Sequence, residues 1–182
     1  MPTIDHEEII FQSQRFSVVR QTIDFDGKKH EQEQVIMGSG IALLILDPNN
    51  NVSMVREWRS SVNGYITQIP GGYAGSEDEQ KLHDAARQEA LEELGIKDTK
   101  GLVRIKSFMP TGGMRGKLHI FFMNDAHDSL PQALEPAEDV SIVKLPLKEA
   151  YNRFVLGNEL TTSATIIGLS LIIGYPNSDV EK

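Results

Sequence analysis

The sequence predicts an α+β fold, in which a run of strands surrounds one central helix and two further helices end the chain. Two observations favour it. Short apolar segments bounded by turn residues recur between residues 9 and 145, and one long segment, residues 76–95, carries apolar residues at helical spacing instead. A repeating βαβ fold would alternate the two patterns, and this chain does not.

The composition suits one soluble domain of ordinary size. The chain has 182 residues, of which 40% are hydrophobic and 24% are charged. Its net charge of −8 predicts that it does not bind nucleic acid, because phosphate binding relies on Lys and Arg. We expect small molecules as partners, since an acidic protein binds anions when it recruits a metal cation.

Cysteine usage and the apolar runs bear on location. The chain has no Cys, which excludes disulfides and zinc-thiolate sites and fits a reducing cytosol. Its acidic start lacks a signal peptide, and its apolar runs fall well short of the roughly 20 residues that span a bilayer. We therefore predict a cytoplasmic protein with no membrane association.

The predicted strands come in order along the chain. Residues 9–37 form two extended stretches joined at Asp26-Gly27, which is a strong hairpin turn signal. A strand at residues 65–69 ends at Pro70-Gly71-Gly72. The other strands are predicted at residues 41–46, 52–58, 102–108, 117–124 and 140–145.

The central helix has clear ends. Ser76 and Asp78 are both plausible N-caps, and Gly95 is a good residue to follow the last turn. Its apolar stripe consists of Leu82, Ala85, Ala86 and Ala90. Two helices are predicted near the end, at residues 148–154 and 162–173.

Three glutamates crowd one side of this helix. Glu89 and Glu93 are four residues apart and Glu92 is three from Glu89, so their like charges repel by about 0.2–0.5 kcal/mol per pair. The macrodipole also disfavours anions near the helix C-terminus. A solvated acidic face would be the ordinary interpretation. A divalent cation such as Mg²⁺, which takes oxygen ligands, would reverse the balance.

The surrounding residues resemble a Nudix box. Gln88-Glu89-Ala90-Leu91-Glu92-Glu93-Leu94-Gly95-Ile96 matches the second half of that motif at every position except the first. The wider chain is similar to the ADP-ribose pyrophosphatase branch of the family over roughly residues 11 to 173. That similarity rests on short matches in the correct order, at residues 26–27, 55–59, 69–72, 111–113, 118–122 and 157–160, and at Thr165.

The resemblance implies a fold and an assembly. We expect a Nudix α/β/α sandwich with a mixed β-sheet as the catalytic domain, residues 39–182. An N-terminal β-hairpin segment, residues 1–38, would precede it. Relatives in this branch commonly dimerise through that segment, so a homodimer is predicted in which Phe16, Val18 and Phe25 are covered by the partner.

The resemblance also implies a reaction. It predicts a metal-dependent hydrolase that cleaves the diphosphate of a nucleoside diphosphate linked to another moiety, with ADP-ribose or a nucleotide sugar as substrate. Glu89, Glu92 and Glu93 would hold Mg²⁺ or Mn²⁺ together with the backbone carbonyl of Gly71. The predicted substrate contacts are Arg56 and Arg59 at the phosphates or ribose, and Thr111, Gly113 and Arg115 in a substrate loop.

The chain departs from the family pattern at several places, among them Gln68 where the branch usually has a Glu and two extra residues between Gly72 and Gln88. The arginine before the first glutamate is Gln88, which brings no charge. The loop at residues 111–117, which usually carries a catalytic glutamate, has no acid, so Glu138 and Asp139 are the substitute bases. The motif's early glutamate is ambiguous among residues 77, 78 and 79. The alternative is therefore a catalytically impaired Nudix-fold module that binds nucleotide sugars or regulates.

Overall fold

A computed structural model describes residues 1–134 and 139–174 of the chain. An N-terminal sheet is built from β1 (Thr3–Gln12), β2 (Phe16–Phe25) and β3 (Lys28–Met37), and the two-residue strand β8 (Met114–Arg115) extends it. Its order is β1-β2-β3-β8. The sheet is therefore larger than the two stretches predicted from residue 9 onward.

The predicted hairpin turn is confirmed. β2 and β3 pair in continuous antiparallel register from Phe16 opposite Met37 to Phe25 opposite Lys28. Asp26 and Gly27 both have positive φ, 53° and 91°, as a two-residue turn of this kind requires. β1 was missed before residue 9 because its polar residues do not alternate with apolar ones, and it forms by pairing with β2.

The second sheet is mixed and carries the core. Its path is β10-β5-β4-β9-β7, with β6 attached to β5. β4 runs parallel to β9, and every other named pair in this described sheet is antiparallel. The strands are β4 (Gly40–Leu46), β5 (Asn51–Arg59), β6 (Gly64–Gln68), β7 (Val103–Phe108), β9 (Leu118–Met123) and β10 (Val140–Pro146).

Helices cover both faces of this sheet. α1 (Glu79–Leu94) packs Leu82, Ala86, Ala90 and Leu94 against one face, beside Leu43 and Phe121. α2 (Leu147–Tyr151) and α3 (Ser163–Gly174) cover the other face. Because neighbouring strand residues point to opposite faces, Ile41, Leu43 and Ile45 join the α1 core, whereas Ala42 and Leu44 join the other core. The predicted α/β/α sandwich is confirmed.

The ends of α1 follow their capping residues. Of the two predicted N-caps, Asp78 holds the position, because its carboxylate accepts the Lys81 amide at 3.0 Å. Gly95 ends the helix with a left-handed φ of 66°, as predicted. Downstream, α2 continues as a π-helical segment over Asn152–Leu156. The spacing of apolar residues does not distinguish an α-helix from a π-helix over so few residues. In the described part of the chain, no helix is both long and apolar enough to cross a membrane.

Candidate active site

The site forms where the central sheet splits. β4 pairs with β5 at Ile45 and Leu46 and then separates from it. Further along β5, from Val55 to Arg59, the neighbouring strand is β6. The chain leaving β6 then returns beside β4: the Leu43 amide donates to the Pro70 carbonyl at 2.8 Å, and Ile41 donates to Gly72 at 2.9 Å. A β-carbon on Gly71 would overlap the Ile41 carbonyl oxygen, so glycine permits this close approach.

Two of the predicted metal ligands of α1 meet this glycine loop. Glu93 is only 6% exposed, and its carboxylate accepts the Gly71 N–H at 3.2 Å. The Glu89 carboxylate lies against Gly72 so closely that a β-carbon there would overlap it. A buried carboxylate is costly unless it is hydrogen-bonded, and the glycine loop supplies that bond. The structure therefore brings Glu89, Glu93 and Gly71 together.

Gln88 holds the third glutamate. Its amide donates to the Glu92 carboxylate at 2.9 Å across one helical turn. The neighbouring arginine does not take over this role, because Arg87 donates to Asp84 at 3.1 Å instead. Glu92 is thus oriented by a neutral amide.

The donor set fits a hard divalent cation shared with a substrate. Within residues 1–134 and 139–174, no three His, Asp or Glu side chains stand close enough to form a complete metal cage. Mg²⁺ rarely needs one, since it is usually bound by one or two carboxylates, waters and substrate phosphates. The carboxylates of Glu89 and Glu93, at the same glycine loop, match that requirement.

The two predicted arginines lie on opposite faces of β5. One face of β5 carries Val55, Glu57 and Arg59, which are alternate residues of the strand. Val55 packs in the α1 core, and Arg59 forms an ion pair with Glu57 at 2.8 Å. Glu57 also accepts the amide of Gln68 at 3.0 Å. Arg59 therefore lies on the side of the sheet on which α1 and its glutamates pack. Sequence analysis missed Glu57, although its position two residues before Arg59 on a strand already places both on one face.

Arg56 belongs to a separate cluster on the other face of β5. Its guanidinium stacks 4.0 Å from the ring centroid of Tyr65. The Tyr65 hydroxyl donates to Asp139, and this hydrogen bond raises the pKa of Tyr65. Asp139, one of the two predicted substitute bases, is therefore hydrogen-bonded to a cluster on the face of β5 opposite Val55 and the α1 core. The other, Glu138, lies outside the described residues.

The predicted substrate loop borders the N-terminal sheet. Gly113 accepts the Val35 amide at 3.0 Å, and Thr111 is exposed beside it. Arg115 donates to Gln34 at 2.9 Å and forms an ion pair with Glu7, which lowers the pKa of that carboxyl. The structure thus places Arg115 on partners from β1 and β3. Its predicted contact with substrate phosphate stays a prediction.

The structure distinguishes the three candidates for the early glutamate. Asp78 caps α1, and Glu79 pairs with Arg104 of β7 at 2.7 Å. Glu77 is the one of the three that contacts the substrate loop, where Lys117 donates to it at 2.7 Å and Ser39 donates to its other oxygen. Sequence spacing could not decide this, because residues 77–79 all precede the helix.

An acidic helix packed on a glycine loop at the opening of an α/β/α sandwich defines the hydrolase class that the resemblance predicts. The chain belongs to the NUDIX domain family, whose model matches residues 37–162. The predicted family and the predicted enzyme class, a Nudix pyrophosphatase, are confirmed. The boundary between residues 38 and 39 stays a prediction.

Two relatives extend this comparison. The chain is 22% identical over 169 residues to a CMP-5'-(N-acetyl-N-hydroxy-3-aminopropyl)phosphonate hydrolase of Streptomyces rubellomurinus (strain ATCC 31215), covering 92% of this chain and 80% of that protein. The structure of the present chain is similar to the crystal structure of an ADP compounds hydrolase, with a TM-score of 0.77 and 20% sequence identity. The match covers 95% of this chain and 92% of the other. At that identity the structural match shows the fold.

Proposed function

We propose that this enzyme hydrolyses the diphosphate of a nucleoside diphosphate linked to another moiety, with ADP-ribose or a nucleotide sugar as the first candidates. The observation that carries the proposal is the buried Glu93 carboxylate on the Gly71 amide, beside Glu89 at Gly72. Crowded carboxylates at a glycine loop suit a cation that also binds phosphate.

The two relatives support a nucleotide-linked substrate. One is named for a CMP-linked phosphonate and the other for ADP compounds. Both names contain a nucleotide, but the base is cytosine in one and adenine in the other. The base and the group beyond the phosphates are therefore the features that a substrate panel must vary.

Mg²⁺ or Mn²⁺ is the proposed cofactor, with Glu89, Glu93 and the Gly71 carbonyl as ligands of one ion, and with Glu92 binding a second ion or positioning water. When bound, such an ion neutralises phosphate charge and provides an activated water. The residues of the chain supply orientation. The Gly71 amide fixes Glu93, and Gln88 fixes Glu92, which we assign to positioning the attacking water.

Arginines bind the substrate in this proposal. Arg59 pairs with Glu57 on the same face of β5 as Val55, which packs in the α1 core, and its guanidinium suits a phosphate or ribose oxygen. Arg56, Thr111, Gly113 and Arg115 remain proposed substrate contacts, and for Arg115 the ion pair with Glu7 must open first. Glu138 remains a proposed base.

The test is product release from ADP-ribose and a panel of nucleoside diphosphate sugars, in Mg²⁺ and in Mn²⁺. Wild type is compared with Glu93→Gln, and Asp98→Asn is the control because it changes an exposed acid just after the same helix. We expect metal-dependent turnover that falls at least 100-fold in Glu93→Gln only. Turnover on none of the substrates, with Mg²⁺ still binding and raising the Tm, would establish the binding-module alternative.

A homodimer is part of the proposal. The N-terminal sheet exposes large apolar side chains, and burying such side chains stabilises association. They are Ile4, Ile9, Phe11, Phe16 and Phe25. Light scattering at micromolar concentration should give twice the mass of 20.3 kDa, and a monomer would contradict the proposal. The proposed cytoplasmic location, which the lack of Cys favours, is tested by cell fractionation.

A further inference from the structure

Three separate segments of the chain converge on the Glu77 carboxylate. Ser39, in the short link between β3 and β4, donates to one oxygen. Lys117, the last residue of the predicted substrate loop, donates to the other at 2.7 Å. Glu77 itself lies two residues before α1, the helix of the metal-binding glutamates. The contact therefore joins the substrate loop to the entry of the catalytic helix.

Backbone hydrogen bonds brace the same junction. The Ser39 carbonyl accepts the amides of Ala74 and Gly75, both at 2.9 Å. The Gly40 amide donates to the Lys117 carbonyl at 2.9 Å, and the Lys117 amide donates to the Ser39 hydroxyl at 3.3 Å. The carboxylate of Glu77 thus adds side-chain contacts to a junction that backbone hydrogen bonds also hold.

A buried histidine lies behind the carboxylate. His119 is 1% exposed, and its Nε2 lies 3.5 Å from Glu77 while its Nδ1 lies 2.8 Å from the Ser107 hydroxyl. Among the described residues Nε2 has no hydrogen-bond partner, so its approach to the Glu77 carboxylate is a close contact without a hydrogen bond. Glu77 thereby contacts the buried interior as well as the surface lysine.

Hydrogen bonds favour the charged form of Glu77. The bonds from Lys117, and then from Ser39, lower its pKa to about 2. The Glu77 and Lys117 side chains are about half exposed, and an exposed ion pair alone contributes little because solvent competes for both groups. Here the buried Ser39 hydroxyl adds a second donor, and the pair borders a cavity of about 330 Å³ that Gly75, Arg115 and Gly116 also line.

We infer that Glu77 and Lys117 are positioning residues, whose ion pair fixes the end of the substrate loop against the entry of α1 and so sets the apparent affinity for the nucleotide substrate. The inference rests on the proposed function. The pair acts on the shape of the cavity wall and leaves the metal-binding carboxylates of α1 unchanged. Its loss should therefore raise KM while kcat and metal affinity stay close to wild type.

The experiment is a double-mutant cycle of Glu77→Gln and Lys117→Met, with Lys117→Arg as the conservative variant. Lys100→Met is the control, since Lys100 is exposed and pairs with exposed Asp98 at 3.7 Å. We expect each single substitution to raise KM about tenfold, the double variant to be no worse, and Lys117→Arg to recover most of the loss. Mn²⁺ affinity should change less than twofold throughout.

A readout without substrate separates this inference from the proposed function. Amide hydrogen exchange at residues 113–117 should accelerate about tenfold in Glu77→Gln and not in Lys100→Met, whether or not any substrate is turned over. Unchanged exchange in a folded Glu77→Gln protein would overturn the inference. Additive KM effects in the double variant would overturn it too, and so would a kcat and Mn²⁺ affinity that fall together.

Discussion

Gly72→Ala tests the geometry of the proposed metal site without touching any ligand. Gly72 lies beside β4 and faces the carboxylate of Glu89. Its φ is outside the left-handed region, so alanine suits the backbone. The substitution adds a single methyl group, and that methyl group would overlap one Glu89 oxygen and lie 2.5 Å from the carboxyl carbon.

The expected loss follows from these distances. Ordinary van der Waals contact begins near 3.4 Å, so the Glu89 oxygen at 1.7 Å must retreat by about 1.7 Å and the carboxyl carbon by about 0.9 Å. A misplacement of about 1 Å at a reacting centre costs about 100-fold in rate, equivalent to about 2.7 kcal/mol in the barrier. Stability should change by less than about 1 kcal/mol, because the displaced group is the end of a flexible side chain.

The assay compares kcat, Mn²⁺ affinity and Tm in wild type, Gly72→Ala and Gly101→Ala. Gly101→Ala is the control because a β-carbon there meets only Met123, at 3.6 Å. We expect Gly72→Ala to lose about 100-fold in kcat and at least tenfold in Mn²⁺ affinity with an unchanged Tm. Wild-type kcat and Mn²⁺ affinity in folded Gly72→Ala would show that Glu89 does not hold the metal.

Three further predictions concern stability. Leu82→Ala should lower the free energy of unfolding by about 2–5 kcal/mol, since Leu82 is fully buried between α1 and the sheet; urea denaturation with a fluorescence readout tests this. Gly95→Ala should lower the Tm, because it places a side chain at φ 66° and against the Leu130 carbonyl; calorimetry that finds an unchanged Tm would contradict this. The depressed pKa of Glu77, about 2, gives stability that is complete above pH 4.5 and is lost as the pH falls toward 2; urea midpoints between pH 2.5 and 6 should fall less steeply for Glu77→Gln.

Periodicity and turn chemistry predicted most of the central architecture. The Asp26-Gly27 turn, the strand at residues 41–46 and the helix ending before Gly95 all lie where the sequence places them. Each depends on neighbouring residues, so local sequence contains the information. β8 could not be predicted this way. Its two residues become a strand only because β3, far away in the chain, offers an edge.

The site was predictable where one element supplies it and less so where several do. Helical spacing alone put Glu89 and Glu93 on one face. The faces of β5 were also predictable, because Arg56 and Arg59 are three residues apart on a strand, yet both were assigned to one site. Trp58 is 45% exposed although it lies on a strand, because the end of β5 extends past β4 and pairs with β6. No local pattern indicates that Arg115 pairs with Glu7.

The charge balance of α1 explains how a box without its arginine can still work. In the usual pattern a cation orients one glutamate, and here the neutral Gln88 amide orients Glu92 while a backbone N–H binds Glu93. Arg87 donates to Asp84 instead, so the Gln88 amide and the Gly71 N–H orient the two glutamates. Both replacements hold a carboxylate in place without neutralising it. The site therefore retains more negative charge than the arginine-containing pattern, and at the proposed metal site that extra charge favours a divalent cation over none.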